Sequence, residues 1–312
     1  MKAKVLTFTS QRTAEFISHE IPDLIEGQAL VQNQVSLLSP GTELALYTRT
    51  HVGFDDPDIS WAHYPIAAGY ASVGIVIDSR NTSLKEGQQV MHYGPHADYT
   101  VVDSSSTYCP VPDLLDPETA VFSRFAQIAY SSLLAAVRTP GEVLIYGAGI
   151  VGNLAAQWFS SEHKDVRITD INRKRLLMAQ DCALDSELTD ETTYDTIVEA
   201  TGSPVVVTAA LQRLNRRGQL ILLGSTRGTV DINLYKHVHR NLVTIIGAHE
   251  TIQGDKVREI LSQSIDKLSS SELIVKPLIT HRITPDQIAA TYEQLIQNPG
   301  EYTGVLVHWS ER

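Results

Sequence analysis

A glycine-rich turn between a strand and a helix constrains this chain more than any other feature. Gly147-Ala-Gly149-Ile-Val-Gly152 follows the apolar run EVLIY and opens the run VGNLAAQWFSSE. Such turns are common, and by itself the GxGxxG spacing says little. Here an acidic residue, Asp170, closes the next strand, VRITD, roughly 20 residues further on, which makes the match strong. The three glycines serve different ends, since Gly147 turns tightly, Gly149 lets the backbone approach a pyrophosphate, and Gly152 lets the helix pack close to the strand. The helix N-terminus, at Ile150 and Val151, holds the phosphates. Asp170 accepts hydrogen bonds from ribose hydroxyls and repels a 2′-phosphate, which favours NAD over NADP; Arg173 and Arg175 pull the other way. Ile171 and Arg175 belong to the same expected cofactor-facing segment. The competing reading is a bare strand-to-helix turn, with Asp170 capping a helix over 173–183.

The pattern on either side extends this unit. Strand-like runs DTIVEAT, QLILLGS and LVTIIGA alternate with helical runs RKRLLMAQDCA and VVVTAALQRL, which predicts a doubly wound parallel sheet. Ala200, Thr201, Gly202, Gly224 and Ser225 fall at carboxyl ends of its strands, where such a fold places its ligand, so they are expected near the nicotinamide half.

With 312 residues, at roughly 150 per domain, two domains are expected. From Met1 to about Pro112 the chain shows short β runs (KVLTF, ALVQNQVSLL, ASVGIVIDS, QQVMHY, DYTVV) separated by turn residues. Helical spacing takes over in ETAVFSRFAQIAYSSLLAAVR, returns in KVREILSQSIDKL and PDQIAATYEQLIQN, and gives way to a final strand, GVLVHW. That strand is expected to rejoin the first sheet. The expected division is therefore 1–115 with 276–312 as one domain and 116–275 as the other.

Composition narrows the class. Lys plus Arg number 25 and Asp plus Glu 36, and the net charge of −11 would repel nucleic-acid backbones and anionic lipid. Hydrophobic residues at 43% and charged residues at 20% describe a globular protein. No apolar run nears the roughly 18 residues of a membrane span, and the first residues enter a strand pattern without a signal-peptide core, so a cytoplasmic location is expected. Cys109 and Cys182 are the only cysteines, which leaves no disulfide framework and no cysteine-rich zinc site.

Ser39-Pro-Gly-Thr-Glu43, GYASVGIV (69–76), PGEVLIYGAGIVG (140–152), TDINRKR (169–175) and VEATGS (198–203) together resemble the medium-chain dehydrogenase/reductases, the zinc alcohol and polyol dehydrogenase superfamily, over nearly the whole chain. The resemblance implies a GroES-like β-barrel catalytic domain, a Rossmann NAD-binding domain, and an active site in the cleft between them. It also shows a departure. Where zinc members read roughly GICGTD, Pro40 stands at the cysteine; where they read GHE, this chain has Gly69-Tyr70-Ala71; and Arg124 corresponds to the third ligand. The structural-zinc lobe is missing as well. The resemblance therefore points to a zinc-lacking subgroup that includes bacteriochlorophyllide a dehydrogenase and polyol- or cyclitol-dehydrogenase-like proteins, with no metal ligands expected.

Without zinc, another group must take the hydroxyl proton and stabilise the alkoxide. Tyr70 beside Arg124 is the expected substitute, the cation favouring the phenolate. The bland alternative has Tyr70 filling the space left by the metal and Arg124 paired with Glu43. Thr42 matches the family hydroxyl that relays the substrate proton, and His63 and His96 are candidate acid or base groups, with His92 in the same segments. Near Trp61, Tyr64 and Tyr93 these residues suit a ring bearing hydroxyls.

The expected function is a zinc-independent, NAD-dependent oxidation of a secondary alcohol of a polyol, cyclitol or sugar-like small molecule, or the reverse. Alternatives are a bacteriochlorophyllide-type alcohol dehydrogenase, a zinc-free quinone or enone reductase, and a non-catalytic NAD(H)-binding regulator. A homo-oligomer, dimer or tetramer, is expected through the edge strand LVTIIGA.

Overall fold

The structure, a computed structural model, describes residues 1–162, 165–179, 183–184 and 192–309. It divides into two compact units, one comprising Met1–Arg124, Leu261–Ser271 and Ile279–Arg312, the other Phe125–Ile260 and Glu272–Leu278.

The first unit opens with β1 (Lys2–Ser10), β2 (Thr13–Glu20) and β3 (Ala29–Leu37), then a short helix α1 (Thr42–Tyr47). β4 (Ile66–Ala67), β5 (Ser72–Ser79), β6 (Gln89–His92), β7 (Tyr99–Val102) and β8 (Tyr108–Pro110) follow. The helical stretch expected from 117 onward is interrupted: α2 (Pro117–Ala120) ends before α3 (Ser123–Ala135) begins. Asp116 caps α2, accepting from Thr119 N at 2.9 Å, with Pro117 at its first position.

The second unit contains β9 (Val143–Tyr146), α4 (Ile150–Glu162), β10 (Val166–Thr169), α5 (Arg173–Leu176), β11 (Ala183–Leu184) and β12 (Tyr194–Glu199). It continues with α6 (Pro204–Gln212), β13 (Leu214–Leu222) and β14 (Thr244–Gly247). The last part of the chain adds α7 (Val257–Ser269), β15 (Ile279–Ile283), α8 (Ile288–Gln297) and β16 (Gly304–His308). The helix expected over 173–183 ends at Leu176, with Leu177 as its C-cap and 177–179 outside it, and Cys182 lies outside the described residues.

In the first unit β2-β1-β4 form one sheet, and β15-β16-β3-β5-β6-β8, with β7 on β3, form the other. Backbone bonds from Leu6 N to His96 O (2.9 Å), Ala68 N to Leu6 O (2.9 Å) and His96 N to Ala68 O (2.7 Å) stitch the two into a barrel. The C-terminal strand lies antiparallel to β3, with Val307 opposite Ser36. Phe8, Tyr47 and Tyr292 meet at the centre of one cluster, Tyr47 and Tyr292 with ring centroids 5.0 Å apart. Each buried side chain of this size contributes roughly 1.5–3 kcal/mol from burial.

In the second unit the six parallel strands run β11-β10-β9-β12-β13-β14. The order reverses between β9 and β12, the point at which an open α/β sheet leaves a crevice outside its carboxyl ends. β9 is buried throughout, as a strand covered on both faces must be. Trp158 on α4 is 1% exposed, and its indole N–H donates to Ala126 O at 2.9 Å, so the largest side chain of that helix is both buried and satisfied. Among the described residues no helix is long and apolar enough to cross a membrane.

Candidate active site

At the carboxyl end of β9 the three motif glycines differ in what requires them. Gly147 has φ +98°, and a Cβ there would meet Thr201 Cγ2 at 2.8 Å. A Cβ on Gly152 would come within 1.8 Å of Gly147 O. The protein's own packing therefore demands glycine at both places. Gly149 is different: a Cβ would meet nothing within 4 Å. It lies at the mouth of the turn where α4 begins, Asn153 N donating to Gly149 O at 2.9 Å. Ile150 is buried, whereas Val151 is half-buried.

Asp170 follows β10 and is only half-buried. It accepts from Ala148 N and from Asn172 N, both at 2.7 Å, binding the glycine turn to the end of the neighbouring strand. It does not cap α5; Asn172 does, accepting from Lys174 N at 2.9 Å. A carboxylate has about four acceptor sites, so these two bonds leave capacity for hydroxyl donors. Ile171 beside it is fully exposed, and Arg175 is half-buried.

On the other side of the strand reversal, Ala200 N donates to Tyr146 O at 2.9 Å and starts a loop through Thr201 and Gly202, the latter at φ +70°. Glu199, 0% exposed, lies beneath it. The carboxylate accepts from Thr201 N at 2.6 Å, from Gly202 N at 3.0 Å and from the Thr201 hydroxyl. Gly224 N donates to Glu199 O at 2.7 Å, which brings the Gly224–Ser225 loop against the first. Glu199 is legible in the sequence only as a strand-end residue.

The first unit holds a second constellation. Tyr70 donates to Ser39 Oγ at 2.6 Å, and Ser39 N donates to Glu43 Oε1 at 3.2 Å. The other oxygen of Glu43 accepts from Tyr292 OH at 2.6 Å and faces His96 Nε2 at 3.1 Å. His96 Nδ1 lies 2.7 Å from Ser36 Oγ, which also accepts from Trp309 Nε1 at 2.9 Å. Glu43 and His96 are buried at 1% and 0% exposure, so the chain of polar groups is a fully paired interior network. Ser36, Tyr292 and Trp309 belong to it and carry no local motif that would announce them.

Arg124, at the start of α3, places its guanidinium carbon 4.0 Å from the centre of the Tyr93 ring and 5.2 Å from that of Tyr70. The cation therefore faces ring surfaces, a cation–π arrangement. Arg124 acts on the Tyr70 hydroxyl in the expected direction, and burial outweighs it. Burial pushes the Tyr70 hydroxyl up to about 12 and the Glu43 charge adds to the rise, while Ser39, Arg124 and Thr42 lower it by less. At neutral pH Tyr70 is a hydrogen-bond donor. Thr42 is half-buried and lies within reach of Tyr70, as its effect on that hydroxyl requires.

The remaining histidines separate. His63 is exposed, with Nδ1 3.3 Å from Ser60 O, and is held by that turn. His92 is buried between Asn33 Oδ1 (2.8 Å) and Gly94 N (3.0 Å), and burial lowers it to about 4, which keeps it neutral. Its bonds fix it as a structural residue. Among the described residues no group of three or more His, Cys, Asp or Glu side chains is placed to hold a metal ion.

Residues 119–224 match the family described as alanine dehydrogenase/PNT, C-terminal domain. The chain is 25% identical over 244 residues to an L-threonine 3-dehydrogenase of Paraburkholderia phymatum, covering 72% of this chain and 67% of that one. Its fold is shared with a dehydrogenase of unknown specificity from Escherichia coli (TM-score 0.83, 20% identity, 99% of both chains covered). Galactitol-1-phosphate dehydrogenase of the same organism is similar too (TM-score 0.82, 19% identity, 98% and 99% covered).

Proposed function

Because the chain is built as the medium-chain dehydrogenase/reductases are built, a GroES-like barrel with a Rossmann sheet, we propose that it is an NAD-dependent dehydrogenase. It acts, on this reading, without zinc on a secondary alcohol of a polyol, cyclitol or sugar-like compound, or reduces the matching ketone. The observation that carries the reading is Gly149, whose missing side chain answers to no contact of the protein and is explained by the close approach of a bound pyrophosphate.

Gly147, Gly149, Ile150, Val151 and Gly152 hold that pyrophosphate; Asp170, Ile171 and Arg175 face the adenosine end; Ala200, Thr201, Gly202, Gly224 and Ser225 face the nicotinamide end. The bound nicotinamide supplies the hydride acceptor or donor. Tyr70 presents its hydroxyl to the substrate oxygen and, in ketone reduction, gives it the proton. Arg124, held against Tyr93 and Tyr70, supplies the fixed positive charge that steadies the resulting phenolate and the developing alkoxide. Ser39 and Glu43, braced by His96, hold Tyr70 in position, and Thr42 offers a second hydroxyl to the substrate. In the oxidation direction the same phenol must first lose its proton.

The edge strand β14 carries partly exposed Ile245, and Leu242 and Ile252 near it are exposed, which supports assembly of the protein into a homo-oligomer along that edge.

The test is titration of chelator-treated protein with NADH and with NADPH, followed by a metal-free screen of polyols and cyclitols for NADH production. Tight NADH binding, much weaker NADPH binding and turnover are expected. Turnover that appears only when zinc is added overturns the zinc-free chemistry, and equal affinity for the two nucleotides overturns the role of Asp170. NADH binding with no turnover shifts the reading to a regulator, or to a larger alcohol such as a chlorin. Reduction of a conjugated bond with NADPH shifts it to a quinone or enone reductase.

A further inference from the structure

We propose that Glu199 selects the oxidation state of the bound nicotinamide, favouring the cationic oxidised ring over the neutral reduced one. The inference rests on the dinucleotide site proposed above and concerns a residue that does not touch the pyrophosphate or the ribose next to Asp170.

Glu199 ends β12, beside β9 at the reversal of strand order. With the adenosine end assigned to Asp170 after β10, the other end of a dinucleotide crosses to the β12 and β13 side. There Glu199 places a carboxylate that is 0% exposed. Among the described residues its oxygens receive hydrogen bonds from neutral groups alone: Thr201 N (2.6 Å), Gly202 N (3.0 and 3.2 Å), the Thr201 hydroxyl and, at 3.5 Å, the Thr226 hydroxyl. A charge solvated by neutral dipoles keeps its net negative charge, though screened, unlike one matched by a cation.

The loops above this charge are made of small residues for steric reasons. A Cβ on Gly224 would lie 2.5 Å from Gly202 N and 3.1 Å from Glu199 Oε2, and one on Gly202 would lie 2.8 Å from Ser225 O. Gly202 and Gly224 therefore let the two loops close tightly around the carboxylate, beside the Thr201 and Thr226 hydroxyls that bond it. The oxidised ring carries one positive charge and loses it on accepting hydride. A buried negative charge close to that end binds the two states unequally, and differential affinity is what shifts an equilibrium between them.

The experiment is Glu199→Gln in the full chain, with dissociation constants for NADH by fluorescence titration and for NAD+ by competition. Glutamine keeps the shape and removes the charge. NAD+ binding is expected to weaken about tenfold or more, the order set by a full charge up to roughly 12 Å away through a protein of effective dielectric about 20, with NADH nearly unchanged. Glu199→Asp, which keeps the charge, should preserve the wild-type ratio. Thr226→Lys, which adds a cation beside an intact Glu199, should move the ratio the same way as glutamine and covers the case in which the glutamine variant does not fold. Equal weakening of both nucleotides, or an unchanged ratio in the folded variants, overturns the inference and leaves Glu199 as a loop clamp only. A wild-type chain that binds neither nucleotide overturns the cofactor reading itself, and this one with it.

Discussion

Arg124 and Tyr93 are stacked, the guanidinium carbon 4.0 Å from the ring centre, and this contact fixes a buried cation 5.2 Å from the centre of the Tyr70 ring. A positive charge held by an aromatic face stays where it is placed, and it costs no reorganisation when charge develops nearby. Stacking of this kind depends on the flat guanidinium.

Arg124→Lys keeps the charge and loses the planar stack, so turnover should fall roughly tenfold, in line with the ~0.5–2 kcal/mol of such a contact. Arg124→Met removes the charge and should cost considerably more. NADH affinity should change little in either variant. Steady-state kinetics beside an NADH titration checks this, and wild-type turnover in Arg124→Met would remove Arg124 from the chemistry.

Tyr70 sets a pH dependence. Its hydroxyl is raised to about 12, so it is protonated at neutral pH and its deprotonated fraction grows with each unit of alkalinity. Alcohol oxidation, which needs the phenolate, should therefore accelerate steadily from neutral pH upward. Ketone reduction, which uses the phenol, should stay level over the same range. Tyr70→Phe should lower both rates and abolish the alkaline rise; a rise that persists in that variant would assign it to another group.

The glycines of the turn should separate stability from binding. Gly149→Val adds a side chain to open space, so the melting temperature should hold while NADH binding is lost. Gly152→Ala drives a Cβ to 1.8 Å from Gly147 O and should destabilise the second unit by a few kcal/mol, roughly the cost of overpacking a core. Calorimetry and nucleotide titration on both variants test the contrast.

Another pair acts on stability. Arg282 Nε and Nη2 grip Glu118 at 2.7 and 2.6 Å, tying α2 to β15, and that grip holds the Glu118 carboxyl below the usual carboxylate range, against partial burial. A carboxyl lowered in the folded state contributes stability above its unfolded value and loses it as pH falls through the folded one. Glu118→Gln should cost on the order of 0.5 kcal/mol at neutral pH, the scale of a partly exposed pair. The difference should shrink toward zero in acid below the ordinary carboxylate range. Denaturant melts at several pH values measure it, and a pH-independent difference would contradict the linkage.

Much of the fold is legible in the sequence. The glycine turn, Asp170 and the alternation of apolar strands with amphipathic helices rest on local periodicity, and the parallel six-stranded sheet follows from them. β2 is not, because TAEFISHE offers a pattern of half-buried and exposed positions with few apolar residues. β15 is hidden for the same reason, its ITHRI being mostly half-buried. The break between α2 and α3 leaves no mark on the periodicity, since the apolar spacing runs on through Val121 and Phe122, which are both fully buried.

The candidate site divides along the same line. By itself the sequence determined the dinucleotide turn and placed Pro40, Tyr70 and Arg124 where the family resemblance leads one to expect metal ligands, since each depends on neighbours a few residues away. Only the tertiary structure decided what surrounds those residues. Burial, not the nearby cation, governs the Tyr70 proton; Glu43 meets His96 and Tyr292, far apart in the chain, through strand pairing and helix packing; and Glu199 becomes a buried charge because two loops close over it. Proton affinity and electric field depend on what surrounds a group in space, and that surrounding is assembled from distant parts of the chain.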